Sequence, residues 1–250
     1  MVLGLSGIDL FGVTMLAGGV VVLLASARYV WRAIVVFRAE TVESLAGTSA
    51  GALVRLSGRA ETAAEDPMSA PFTGRQSLVM RYAVEECRLS PFPVLPWFVT
   101  IHERAGSVPF RLRTAHEAVE IVEPTRTVTL TKDRVATVGP DETPPEPVGR
   151  FERTADALPG RTLWHGRPFG LGAAMRALSL GARRYTEERA SPGDEVTVVG
   201  RVTEAGGVDP LVVSDRSPAG TLRRMASTSL VGVVIGASVV ALGAALLFML

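Results

Sequence analysis

Apolar residues crowd the two ends of this chain, and charged residues fill its middle. No charged residue lies between Asp9 and Arg28, and none follows Arg224. Every basic residue, and every acidic one except Asp9, falls from Arg28 to Arg224. A helix rises ~1.5 Å per residue, so ~20 apolar residues cross a bilayer's hydrocarbon. The first uncharged stretch, Leu10 to Ala27, approaches that length. Val30, Ile34, Val35 and Phe37 extend it, with Arg28, Arg32 and Arg38 snorkelling to the headgroups. The second, Ser229 to Leu250, is long enough without extension. The pattern predicts transmembrane helices over residues 8–37 and 228–250. A cleaved signal peptide is the alternative for the first, but Met1 to Ile8 supplies no basic leader.

Arginine placement predicts orientation. Arg28, Arg32 and Arg38 follow the first span, and Arg216, Arg223 and Arg224 precede the second. The positive-inside rule then puts the middle in the cytoplasm of a multi-pass cell-membrane protein, with both termini outside. Tyr29 and Trp31 sit where an interfacial aromatic belt belongs. Gly232 and Gly236, then Ala237, Ala241 and Ala245, repeat at four-residue spacing. Such faces let helices approach closely, either between the two spans or between protomers of a homo-oligomer.

The middle alternates with the period of strands. Leu53 to Gly58, Ser77 to Glu86, Trp97 to Glu103, Val108 to Arg113, Ala118 to Val122, Thr127 to Thr131 and Glu195 to Val202 read as strands. Glu40 to Ala50 reads as a connector. Gly139 to Pro147 holds four prolines and reads as a loop. Leu171, Ala174, Met175, Leu178 and Ala182 recur at helical steps, which predicts one main helix over Leu171 to Glu188. An internal echo links Gly51-x-x-Val54-x-Leu56-x-Gly58-Arg59 to Gly193-x-x-Val196-x-Val198-x-Gly200-Arg201. A glycine inside a strand marks a bulge or a barrel corner, so these read as equivalent strands of a curved sheet or small barrel. The expected fold class is α+β: two transmembrane helices flanking a β-rich soluble domain at 51–215.

Composition narrows the chemistry. Net charge is +1, which gives no global field for nucleic acid. The chain has no asparagine, so it carries no N-glycosylation site. Its one cysteine, Cys87, cannot form an internal disulfide or a cysteine-based zinc site. No cofactor or metal is expected. His102, His116 and His165 lack metal-ligand spacing. Glu85 and Glu86 point to opposite faces of a strand, so they cannot share a proton as a catalytic dyad.

The strand segments also carry a family resemblance. Ser69-Ala70-Pro71-Phe72-Thr73-Gly74, followed by Tyr82-Ala83-Val84-Glu85-Glu86, resembles a passage of the GIDE-type domain. That domain is also called BAM, for "beside a membrane". It occurs in a mitochondrial membrane-bound RING ubiquitin ligase and its prokaryotic relatives. Trp97, Val108-Pro109-Phe110-Arg111-Leu112 and Val122-Glu123-Pro124 follow in the family's order. So do Tyr185-Thr186-Glu187-Glu188-Arg189, Pro192-Gly193-Asp194-Glu195-Val196 and Val199-Gly200. The resemblance implies a membrane-adjacent domain between two spans. It does not carry the ligase's catalytic part, because one cysteine cannot supply a RING's zinc ligands.

The expected role is therefore non-catalytic: binding a membrane-associated protein or small ligand at the bilayer surface. Two alternatives remain, namely a component of a ubiquitin-like modification system and a structural companion of a membrane protease or scaffold. Trp97 and Phe98, after a proline-rich loop, are a candidate surface for headgroups or a peptide, with core packing as the alternative. Arg111 and Arg113 are a candidate anion site or a solvated strand face. Glu187 and Glu188, with Arg189, close the expected helix, either solvated or ion-paired to Arg59 or Arg201.

Overall fold

A computed structural model describes residues 7–63, 65–90, 95–122, 125, 127–155, 158, 159, 162, 164, 178–215 and 218–248. For residues 29–37, 218–231 and 248 it describes the backbone alone. The chain divides into two units: Met1–Glu40 with Arg216–Leu250, and Thr41–Asp215.

The first unit is a pair of long helices, α1 (Gly7–Arg38) and, at the far end of the chain, α3 (Pro218–Phe248). They pack antiparallel along small residues. Gly12, Gly19 and Ser26 are buried at seven-residue intervals on α1, and Gly236 and Gly243 are buried on α3. A methyl on Gly19 would lie 2.8 Å from the Val240 nitrogen, and one on Gly243 would lie 2.8 Å from the Leu16 nitrogen. Backbone therefore meets backbone, as small-residue seams allow. The glycines of the sequence reading lie between the two helices, whereas Ala237 and Ala241 face outward. Among the described residues, Gly7–Arg28 is long and apolar enough to cross a membrane. The described apolar stretch of α3, Gly232–Leu247, is shorter than a full crossing.

The second unit is strand-rich. Its strands are β1 (Glu40–Thr41, straddling the unit boundary), β2 (Leu53–Thr62), β3 (Met68–Ser69), β4 (Gln76–Ser77), β5 (Val79–Leu89), β6 (Pro96–Ser107) and β7 (Phe110–Arg113). Then come β8 (Ala118–Ile121), β9 (Val128–Thr129), β10 (Lys132–Val138), helix α2 (Glu146–Thr154), β11 (Arg183–Ala190), β12 (Glu195–Val202) and β13 (Val208–Ser214).

Five strands close a ring. The order is β2-β12-β13-β8-β7, and β7 returns to pair with β2. All neighbours are antiparallel except β13 and β8. Numbered along the chain, the ring runs 1-4-5-3-2 and back to 1, which is the connectivity of an OB-type barrel. Leu56, Leu112, Val198, Val208, Val213 and Leu130 fill it, each fully buried.

The internal echo sits on the barrel's seam. β2 and β12 pair so that Leu56 faces Val198, Gly58 faces Val196 and Gly200 faces Val54. The hydrogen bonds Gly51 N to Val202 O and Gly193 N to Ala60 O repeat the same relation, a local two-fold. Gly51 and Gly193 both have positive φ, at 82° and 95°. A methyl on Gly58 would lie 2.3 Å from Arg113 O, and one on Gly200 would lie 2.3 Å from Asp209 O. These glycines are where the adjoining strands cross close enough to close the ring.

Two insertions build a second sheet. One leaves the barrel after β2 and contributes β5 and β6. The other leaves after β8 and contributes β10, α2 and β11. The order is β10-β11-β5-β6, all antiparallel.

Two sequence expectations change here. Residues 183–188, expected to finish a helix, belong to strand β11, while 165–177 lie outside the described residues, His165 among them. Arg, Glu and Ala favour helix locally, but pairing with β5 and β10 on both sides overrides that preference. The described helix of this unit is α2, which begins inside the expected Gly139–Pro147 loop because Pro147 suits a first helical turn. Trp97 and Phe98 lie within β6, as the strand expected over Trp97 to Glu103 requires.

Candidate functional site

One face of the second sheet gathers Phe72, Tyr82, Tyr185 and Glu187, four of the residues that carried the family resemblance. Phe72 is 2% exposed, and its ring meets Tyr82, Tyr185 and Phe151 edge-on at 5.6, 5.4 and 5.0 Å. The Ser69–Gly74 loop that carries it is fixed from below. Glu187, 1% exposed, accepts from Phe72 N at 2.7 Å, Thr73 N at 3.2 Å and Thr73 Oγ1 at 2.7 Å. The loop's own turn, Gly74 N to Ala70 O at 2.8 Å, places Gly74 at φ 70°.

Helix α2 is fixed on the same face. Arg183 donates to Glu152 at 2.9 Å and to Pro159 O at 2.6 Å. The Tyr185 hydroxyl donates to the same Glu152. Burial, then the Glu152 carboxylate, pushes the Tyr185 phenol far above its usual range. Loop and helix leave a trough of about 300 Å³ between them, with Ser69, Pro71, Thr73, Arg150, Phe151 and Thr154 among its walls.

The acidic pair splits as strand geometry requires. Glu86 is fully buried and accepts from Arg88 Nε at 2.9 Å and Thr162 Oγ1 at 2.8 Å. Glu85, on the other face, meets Lys132 at 2.5 Å and Arg184 at 3.5 Å. Glu187 and Glu188 are mid-strand and buried, not at a helix end. Their described partners are Arg189 and Arg81, whereas Arg59 pairs with Glu195 and Arg201 donates to Gly51 O. On the Glu85 face a hollow of about 60 Å³ has Ala83 and Thr186 on its floor. Its charged residues are ion-paired through Arg81–Glu103, Arg81–Glu188 and Lys132–Glu85.

The four residues proposed as a binding surface do not converge. Trp97 is 54% exposed, but Phe98 lies under the Arg184 guanidinium, 3.6 Å from its ring centre. Arg111 and Arg113 belong to β7 of the barrel. Arg113 is bidentate to Glu61 at 2.5 and 2.9 Å, and Arg111 stands opposite Glu61 and Glu120 in register. Both arginines of that strand face therefore stand beside carboxylates.

The remaining motif residues are structural. Phe110 is buried in the barrel core, with Pro109 leading into its strand. Pro192 and Gly193 form the turn before β12, and Gly200 is a closure glycine. Pro124 lies outside the described residues. His116 Nε2 is 2.7 Å from Glu43 Oε2, which ties the β7–β8 turn to the connector. His102 stacks near Tyr82 and Phe151; burial and the charge of Arg104 lower its pKa. Cys87 is buried, and that burial pushes its thiol up, away from nucleophilic use. Among the described residues no group of three or more His, Cys, Asp or Glu could hold a metal ion.

Sequence reasoning missed α2 and with it Phe151, Arg150 and Glu152. The available signal was Pro147 followed by Val148 and Phe151, an apolar step of three behind a helix-starting proline. No protein-family model matches the chain, and no curated protein or solved structure shows a significant similarity to it.

Proposed function

We propose that this chain is a two-span membrane protein whose strand-rich body is a GIDE/BAM-like, non-catalytic docking module on the cytoplasmic side. The observation that carries this reading is the inverted polarity of the helix pair. Fourteen large hydrophobic side chains are exposed among the described residues, and all but Leu95, Trp97 and Leu178 lie on α1 or α3. Glycine and serine occupy the contact between the helices, while Leu10, Phe11, Val21, Leu24, Ile235 and Leu242 point outward. A water-soluble helix pair buries such side chains; a pair dissolved in lipid presents them.

The body's own ends support a double tether. Val42 N donates to Arg55 O on β2, and Ser214 pairs with Thr197, which faces Ser57 of β2. Both ends therefore leave the barrel at one level of the sheet, within ~15 Å at ordinary strand spacing. A domain tethered at both ends has fewer orientations open to it, which raises the effective concentration of its binding surface for membrane partners. Phe72, Tyr82, Tyr185 and Glu187, drawn from separated motifs, meet in one cluster, which gives the resemblance weight.

Membrane fractionation tests the reading. The protein should stay in the pellet through an alkaline wash. A single cysteine at Glu120, in a Cys87→Ser background, should react with an impermeant maleimide only after the cells are broken. Release by the wash, or labelling of intact cells, overturns the proposal.

A further inference from the structure

The Ser69–Gly74 loop and α2 form the two walls of the trough. Its two walls are held separately. The loop hangs on Glu187, whose buried carboxylate takes three hydrogen bonds from Phe72 and Thr73. The helix hangs on Glu152, through Arg183 and Tyr185. A loop that only connects two short strands needs no buried anion beneath it, and burying one costs several kcal/mol of desolvation before its bonds offset that. The expense makes sense where the loop must present a fixed shape.

The lining describes an occupant. Ala70, Pro71, Pro147 and Phe151 give the lining an apolar share, and Ser69, Thr73 and Thr154 complete it with small polar residues. Among the described residues, the only charged one in the lining is Arg150. It pairs with Glu146 one turn away, but both side chains are about two-thirds exposed, at 68% and 69%. Such a pair stabilises weakly and exchanges readily for another carboxylate. Arg75 follows the lining Gly74, is exposed, and has no carboxylate partner among the described residues. The local charge is therefore positive. A volume of about 300 Å³ sits at the small end for ligand pockets, which suits side chains of an extended segment better than an enclosed molecule.

We infer that this trough binds a peptide segment that presents an apolar side chain beside a carboxylate, with the apolar group on Phe151 and Pro71 and the carboxylate on Arg150. The site supplies the docking role proposed above, but it does not depend on the membrane anchor. Its test therefore fails or succeeds separately from fractionation.

The experiment pans a displayed library of random octapeptides against the full chain in nanodiscs, after subtraction on empty nanodiscs. Enriched peptides should share an apolar residue next to Asp or Glu. By fluorescence polarisation, Thr154→Trp, which fills the trough from an exposed helix position, should raise Kd at least tenfold. Arg150→Glu should do the same, and changing the peptide's acid to its amide should cost about fivefold on the parent chain. Arg111→Ala, on the barrel, should change nothing. Circular-dichroism melts on each variant separate lost binding from lost folding. The inference is overturned if nothing is enriched over empty nanodiscs. It is equally overturned if the enriched peptides lack the apolar–acidic pairing, or if they bind folded Thr154→Trp and Arg150→Glu as they bind the parent.

Discussion

The two sheets of the body hold together by different physics. The barrel is sealed by valine and leucine, with backbone crossings where Gly58 and Gly200 leave room. The four-stranded sheet buries Glu86, Arg183, Glu187 and Glu188 along with its aromatic cluster. Apolar burial is non-directional, so a barrel of this kind specifies a volume. Buried carboxylates are directional, so the second sheet specifies positions: which loop sits on it, and in which pose. The trough between the Ser69–Gly74 loop and α2 lies against the second sheet, where position is what counts.

The largest effect should come from the barrel's crossings. Gly200→Val places a branched side chain 2.3 Å from Asp209 O and should cost about 4 kcal/mol or more, read as loss of the cooperative thermal transition. A variant that melts like the parent would show that the ring does not close tightly there.

Next, Glu187→Ala should destabilise by about 3 kcal/mol, because it leaves the Phe72 and Thr73 donors without their acceptor. Leu56→Ala in the barrel should cost a similar ~3 kcal/mol. The two should separate in peptide binding: Glu187→Ala disorders the trough, whereas Leu56→Ala weakens stability without reshaping it. Equal loss of binding in both would erase the contrast between the sheets.

A smaller effect concerns pH. Burial, then Arg104, holds His102 below its ordinary value of 6.5. The unfolded chain therefore takes up a proton more readily than the native one as pH falls through that value. Stability should be level above it and decline below it, and His102→Gln should flatten the decline in urea melts at pH 7.5 and 5.5. An unchanged slope would remove His102 as its source. The smallest effect is expected at the exposed Arg113–Glu61 pair, where Arg113→Ala should shift the midpoint within measurement error.

Four of the five ring strands, β2, β7, β8 and β12, were readable because they alternate; β13, with Pro210 inside it and burial on both faces, was not. The echo of β2 and β12 was legible as a repeat, but that the two strands pair, through Leu56 and Val198, was not. In the second sheet β5 and β6 were readable, and β11 broke the rule. β11 reads Arg-Arg-Tyr-Thr-Glu-Glu-Arg-Ala, mostly helix-favouring residues, yet six of its eight positions are buried. Nothing in its polarity announces a central strand, because its charges are neutralised by residues far along the chain: Glu152 for Arg183, and the Phe72 and Thr73 amides for Glu187. The motif residues that cluster on this sheet, Phe72, Tyr82, Tyr185 and Glu187, were legible as a set but not as a place. Tyr82 and Glu187 turn out to be cross-strand neighbours. The helix that completes the trough was hidden in proline-rich composition.

The two-fold seam bears on how the chain is made. Leu56 cannot find its partner until Val198 has left the ribosome, so the ring stays open through most of translation. The β5–β6 hairpin, by contrast, joins neighbouring segments and can assemble early. Because β2 and β12 carry matching glycines and matching apolar positions, an unfinished β2 is also complementary to the β12 of an adjacent nascent copy. Crowded synthesis would then set correct closure in competition with strand exchange between chains.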